Sequence, residues 1–273
     1  MNKIDSHCHI IDPRRFPVVP GVGYTPRSEC EWGTFEAFED VLARNRVTHA
    51  LLVQPSCYGT DNSAMLDAIS SSGGRFKGIA VVDAAAADEE LAKLAACGVV
   101  GLRFNMVHYD AGILDDPAVG ALLERIGTLG WYLQVHALSA QWPALIPTLM
   151  ASGVRVILDH FGMPGGTLDA EGAGLTALLR AARLRDDWAV KLTAPYRFLP
   201  DYPCVSGARP IVARIVDAFG IENCIWGSDW PHLNTAHRVT YQKQIEHLCE
   251  WFPDSGDRQR ILWDNPARMF GFL

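Results

Sequence analysis

Residues 3–10, KIDSHCHI, read as a short strand, Lys3–His9, that closes on two histidines one residue apart. Side chains alternate along a strand, so His7 and His9 are expected on one face with Asp5, while Ser6 and Cys8 point the other way. Seven further runs of the same kind follow: His49–Gln54, Phe76–Val82, Val99–Asn105, Trp131–His136, Arg155–His160, Trp188–Thr193 and Cys224–Ser228. Between them apolar residues return at helical spacing, as in Phe35, Phe38 and Leu42, then Leu122, Leu123 and Ile126, then Ile211, Val212, Ile215 and Phe219. Gly98, Gly130, Gly153 and Gly220 each follow a helical run, where a helix C-terminus calls for positive φ. Strands alternating with helices pair in parallel, and eight such units predict a closed α/β barrel. An open doubly wound sheet is the alternative. No GxGxxG or GxxxxGKS/T follows the first strand, where a nucleotide-binding sheet would carry one.

The 273 residues, 49% of them hydrophobic and 20% charged, suffice for a large core. One barrel of roughly 250 residues uses nearly all of them, so residues 1–273 are expected to form a single domain. Lysine plus arginine number 24 against 31 acidic residues, a formal charge of −7 with no basic block. That balance argues against nucleic acid and anionic membranes as partners. No apolar stretch approaches the ~18 residues of a membrane span, and the N-terminus lacks the apolar run of a leader. Seven cysteines without CxxC spacing read as reduced, packed thiols in a cytoplasmic protein. The expected partner is a small-molecule substrate, for a monomer or homodimer.

Function is suggested by where the histidines fall. In a barrel the substrate site lies at the C-terminal ends of the strands. His7 and His9 end the first predicted strand, His136 the fifth and His160 the sixth, and Asp229 follows the eighth. Imidazoles with a carboxylate suit Zn²⁺ or a similar ion with one position left to water. Such an ion acidifies the water, and Asp229 is placed to take its proton. A hydrogen-bonded polar plug at the barrel mouth is the competing reading. Alternation also pairs Gln54 with Ser56, Arg103 with Asn105, Gln134 with His136 and Lys191 with Thr193 on one face each. A buried Lys191 would need a partner such as Asp5 or Asp229. Arg103 offers a planar fork to a substrate carboxylate, or else an ion pair to a neighbouring acid.

The chain resembles the amidohydrolase-2 branch of the amidohydrolase superfamily, which includes lactone hydrolases acting on pyrone dicarboxylates. The likeness rests on DSHCHI at 5–10, GYTPR at 23–27, VQPSCYGTDN at 53–62, GIAVVD at 78–83, GLRFN at 101–105, ILDHFG at 157–162, WGSDWPH at 226–232 and NPARMFGF at 265–272. It implies a distorted (β/α)8 TIM barrel of amidohydrolase type that opens a small lactone from aromatic or sugar-acid catabolism. By matching motif, Asp229 would activate water, and His7, His9 and His160 would polarise or orient around the scissile carbonyl. Tyr24, Ser56, Arg103, Arg197 and His232 match substrate-contact positions.

Three departures bear on substrate and metal. The pyrone lactonases carry an Arg after DHxG and another shortly after the fourth strand, where this chain has Met163 and Tyr109, so fewer substrate carboxylates are expected. They also carry Tyr where this chain has His136. A histidine there restores a strand-five ligand and tips the expectation toward one divalent ion, Zn or Mn, held by His7, His9, His136, His160 and Asp229; metal-independent catalysis is the alternative. The expected reaction is hydrolysis of a lactone bearing one carboxylate, docked near Arg103 and Arg197. A metal-dependent decarboxylase or hydratase acting on a ring-derived acid is the rival, and a non-catalytic binding barrel is more remote.

Overall fold

Eight parallel strands stand side by side in chain order: β1 (Ile4–Cys8), β2 (His49–Val53), β3 (Phe76–Ala80), β4 (Val99–Asn105), β5 (Tyr132–His136), β6 (Arg155–Leu158), β7 (Ala189–Leu192) and β8 (Cys224–Trp226). They come from a computed structural model that describes residues 2–108, 111–164, 173–235 and 239–273. Every predicted strand is present, and all but β4 are shorter than expected. The trimmed ends matter, because His9, Asp159, His160, Thr193 and Ser228 then lie just past the ladder, where backbone direction is free to change.

Helices α1 (Phe35–Asn45), α2 (Ser63–Ser71), α3 (Asp88–Ala96), α4 (Pro117–Thr128), α5 (Trp142–Ser152), α6 (Ala173–Ala182), α7 (Arg209–Phe219) and α8 (Tyr241–Trp251) fill the connections. Their starts are chemically marked. Thr34 accepts the Ala37 N–H ahead of α1, Asp116 accepts the Ala118 N–H ahead of α4 with Pro117 at its first position, and Thr240 accepts the Lys243 N–H ahead of α8. Gly98, Gly130, Gly153 and Gly220 all have positive φ after their helices, as expected.

The last seam closes the barrel without a ladder of its own. The Asp229 N–H donates to the His7 carbonyl at 2.8 Å and the His9 N–H to the Trp230 carbonyl at 2.9 Å. Here the Asp5 expectation needs correcting. The β1–β2 register shifts between Asp5 and Cys8, and Asp5 does not join His7 and His9. Its carboxylate accepts the Ser228 N–H (2.9 Å), the Ser228 hydroxyl (2.6 Å) and the Tyr241 hydroxyl of α8 (2.8 Å), tying the first strand to the last. Gly227 permits this closeness, since a Cβ there would lie 2.5 Å from the His7 backbone nitrogen.

Inside the barrel, Ile4, Leu51, Val53, Ile79, Ile157, Ala189 and Ile225 form an apolar layer, plugged from below by Met269, Phe270 and Phe272 at the C-terminus. Side chains on the opposite faces, such as Leu52, Leu133 and Val190, pack with Phe38, Leu122 and Ile215 of the helices. Among the described residues no helix is long and apolar enough to cross a membrane. All seven cysteines are free thiols.

Candidate active site

Above the apolar layer, at the C-terminal ends of the strands, lies a cavity of about 430 Å³ lined by His9, Tyr24, Ser56, Arg103, Asn105, His136, His160, Arg197 and Asp229, among others. Buried polar groups outside this lining sit two residues above the apolar layer on the same strands: Gln134 above Tyr132, Asp159 above Ile157 and Lys191 above Ala189. Strand alternation carries all three inward.

The Asp159 carboxylate is the hub of this buried layer. Its Oδ2 accepts Arg103 Nε (3.3 Å) and Gln134 Nε2 (3.0 Å), and its Oδ1 lies 3.2 Å from His7 Nδ1. Lys191 Nζ, fully buried, donates to Gln134 Oε1 at 2.6 Å and lies 3.2 Å from His7 Nδ1 and 3.9 Å from Asp159 Oδ1. The ion pair expected for Lys191 with Asp5 or Asp229 is therefore made with Asp159. Burial lowers the Lys191 ammonium to about 8, with Asp159 opposing. Burial alone would raise the Asp159 carboxyl, but His7, Lys191 and Arg103 hold it well below the usual carboxylate range. Arg103 thus pairs with Asp159 while also lining the cavity.

His7 and His9 converge on Asp229. With His7 Nδ1 engaged by Asp159 and Lys191, its Nε2 is buried with no hydrogen-bond partner among the described residues, 3.5 Å from Asp229 Oδ1. His9 donates Nδ1–H to the Val53 carbonyl at 2.8 Å, which leaves the Nε2 lone pair facing the same oxygen at 3.4 Å. His160 reaches the group through an uncommon backbone. Its φ of 50° turns the side chain out of strand alternation, and Nδ1 bonds Thr193 Oγ at 2.7 Å. The His160 ring lies 4.8 Å from His7 and 5.1 Å from His136. Asp229 also has positive φ, 61°. Such conformations in non-glycine residues concentrate at functional sites, at a cost of about 1–3 kcal/mol each.

Burial pushes the His7 imidazole down to about 3, despite the nearby Asp159, and lowers His136 and His160 well below the ordinary histidine value. All three are neutral at pH 7. Asp229 is the opposite case. Burial opposes its charge, yet Arg197, His160, His9 and His7 together hold it well below the usual range. Its Oδ2 accepts Tyr196 OH (2.5 Å), Arg197 Nε (2.9 Å) and Arg197 Nη2 (2.7 Å), leaving Oδ1 toward the histidines.

The set His7, His9 and Asp229 fits a divalent ion. The three ligand atoms lie within 4.8 Å of one another. Donors about 2.1 Å from a tetrahedral ion sit roughly 3.4 Å apart, close to the spacings of both histidines to Asp229. The other ring nitrogen of each histidine meets a carboxylate or carbonyl, as is usual for ligating imidazoles. A second group, His7, Asp159 and His160, is also within 4.8 Å, but Asp159 already serves Arg103 and Gln134.

His136, expected as a ligand, falls in neither group. Arg103 Nη2 lies 3.3 Å from its Nδ1. A guanidinium only donates, so Nδ1 accepts and Nε2 carries the proton. That N–H is buried and, among the described residues, unpartnered in a residue lining the cavity. Tyr24 lines it too, while Ser56 accepts Asn105 Nδ2 at 3.0 Å. Two expected contacts are absent from the lining. His7 lies beneath it, and His232 packs edge-on to Tyr196 at 6.2 Å, pushed down to about 4 by burial. Gln54 turns to the Gly59 and Asp61 carbonyls instead of the cavity. Met163 lines the cavity; Tyr109 lies outside the described residues.

The amidohydrolase family model matches residues 4–272. The chain belongs to the amidohydrolase family. This amidohydrolase is 30% identical to the 2-pyrone-4,6-dicarboxylate hydrolase of Comamonas testosteroni, over 98% of its own length and 89% of the relative's. It is also 30% identical to the 4-sulfomuconolactone hydrolase of Hydrogenophaga intermedia, over 98% and 88% of the two chains. Its fold superposes with a TM-score of 0.90, at 30% identity and full coverage of both chains, on a probable 2-pyrone-4,6-dicarboxylic acid hydrolase from Acinetobacter baumannii crystallised with citric acid.

Asp159 and Tyr196 escaped the sequence reading. Alternation upward from Ile157 points to Asp159, but attention rested on the neighbouring histidine. Tyr196 lies in a short turn after β7, where no periodicity places it.

Proposed function

We infer that this amidohydrolase is an enzyme that hydrolyses a small lactone bearing a carboxylate. The observation that carries the reading is the convergence of His7 Nε2 and His9 Nε2 on Asp229 Oδ1 beside a cavity lined by further donors. Relatives named for opening lactones support the choice of substrate class. His7, His9 and Asp229 would hold one divalent ion, Zn or Mn. Such an ion supplies Lewis-acid polarisation of the carbonyl and acidifies the attacking water.

The chain's own residues account for the remaining steps. Arg197 and Tyr196 fix the Asp229 carboxylate through Oδ2, so Oδ1 takes a proton as water oxygen bonds to the lactone carbonyl carbon. The oxyanion that forms accepts the His136 Nε2–H, a preorganised donor. The ring C–O bond then breaks, and the proton held by Asp229 passes to the leaving oxygen, giving a hydroxy acid. Arg103, though paired with Asp159, lines the cavity and lends positive potential to a substrate carboxylate; Tyr24 and Ser56 offer hydroxyls. Lactones of this kind arise in aromatic catabolism, and seven unpaired thiols suit work in a reducing cytoplasm. No partner beyond substrate and a second copy of the chain is proposed.

The test is a panel of lactones and unsaturated carboxylic acids, followed for acid release, a mass gain of one water, and CO₂. Ring opening in the wild type supports the reading, and CO₂ release or hydration without it would assign the chain to the lyases instead. Metal analysis of the purified protein, with activity before and after a chelator and on adding back Zn²⁺ or Mn²⁺, decides the ion.

A further inference from the structure

A second cavity, about 760 Å³, adjoins the first and shares Ser56, Arg103 and Asn105 with it. The Asn105–Ser56 hydrogen bond therefore borders both spaces. The second cavity's apolar lining includes Val22 from the segment after β1, Val82 after β3, Phe104 of β4, Ile113 after β4 and Val119 of α4. Its charged lining besides Arg103 is acidic: Asp61, Asp83 and Asp116. Arg103 is already committed to Asp159 and His136. Beyond the shared Arg103, an anionic group in this annex would meet three carboxylates and no other cation among the described lining residues. An apolar group would meet five apolar side chains.

We propose that the annex binds an uncharged, apolar substituent on the lactone ring, so that the substrate is a lactone with its carboxylate in the first cavity and an alkyl or aryl arm in the second. The proposal rests on the lactone reading above. It separates this chain from relatives named for a dicarboxylate and a sulfonate, because the second charged group of such a substrate would have no counter-ion here beyond the shared Arg103.

The experiment uses 2-alkyl-5-oxotetrahydrofuran-3-carboxylates, from methyl to hexyl, with wild type, Val82→Trp and Ile113→Trp. In the wild type kcat/KM should rise about two- to fourfold per methylene, the return for removing a CH₂ from water. Both variants should lose that rise while keeping the methyl compound within twofold. A flat or falling dependence on chain length in the wild type, or a slope untouched by both variants, overturns the proposal. Calorimetric binding of butanoate through octanoate reads the annex without turnover. Affinity that grows with length and is lost in the variants, with no lactone opened, keeps the annex and removes the lactone reading. Length-independent binding overturns the annex whatever the turnover.

Discussion

The barrel interior holds two layers that differ in everything except the strands that build them. In the lower one Ile157 and Ala189 pack with Ile4, Val53 and the C-terminal Phe270. Two residues further along the same strands, Asp159 and Lys191 stand fully buried among His7, Gln134 and Arg103. A single pleat separates a layer that gains from burial from one that is charged despite it. Breaking a buried ion pair from one side costs about 3–5 kcal/mol, while well-packed apolar groups in its place are often no less stable. The upper layer is therefore a poor way to stabilise a barrel and a good way to fix the imidazoles. The lower layer supplies the stability that the upper one draws on.

This contrast is sharpest in the Asp229→Asn variant. Removing the base should lower kcat/KM by roughly 10³-fold, with a folded far-UV spectrum. Turnover near that of wild type would remove Asp229 from the chemistry. Next comes His136→Phe, which deletes the unpartnered Nε2–H. A loss of about 10²-fold in kcat with little change in KM is expected, and an unchanged kcat would break the donor assignment. In the lower layer, Ile157→Val should cost about 0.5–1.5 kcal/mol by urea denaturation and leave kcat within twofold. A large activity loss there would show the two layers to be one unit.

The smallest effect concerns acid. The His247 ring packs among Tyr202 and Trp251, and burial depresses it to about 4. Between pH 6.5 and 4 the unfolded chain binds a proton at this residue and the folded chain does not, so its contribution is intact above 6.5 and is lost as pH falls. His7 and His232 have the same sign. His247→Phe should flatten the fall of the urea midpoint on acidification by at most one proton's worth, while Ile157→Val keeps the wild-type slope.

The eight strands and the gathering of His7, His9, His160 and Asp229 were legible because period-two runs and the histidines ending them are local signals. Asp5 was misread because a register shift inside β1 breaks the alternation that placed it. The partner of Lys191 was misassigned because strand adjacency, not sequence, sets Asp159 beside it. His136 matches a strand-five ligand position by resemblance, whereas its contact with Arg103 depends on strand adjacency that no local signal carries. His160 lies at the expected strand end, and its direction there follows a positive φ that periodicity does not reveal.

The seam between β1 and β8 carries a consequence for synthesis. Asp5 and Ser228 are 223 residues apart, and the amide of Asp229 itself latches onto the His7 carbonyl. A nascent chain that has emerged only through β7 carries every imidazole of the centre but neither its acid nor its latch. Hydrolytic competence then arrives with the last strand, and any opening that unzips the two ends takes the acid away from the histidines in the same movement.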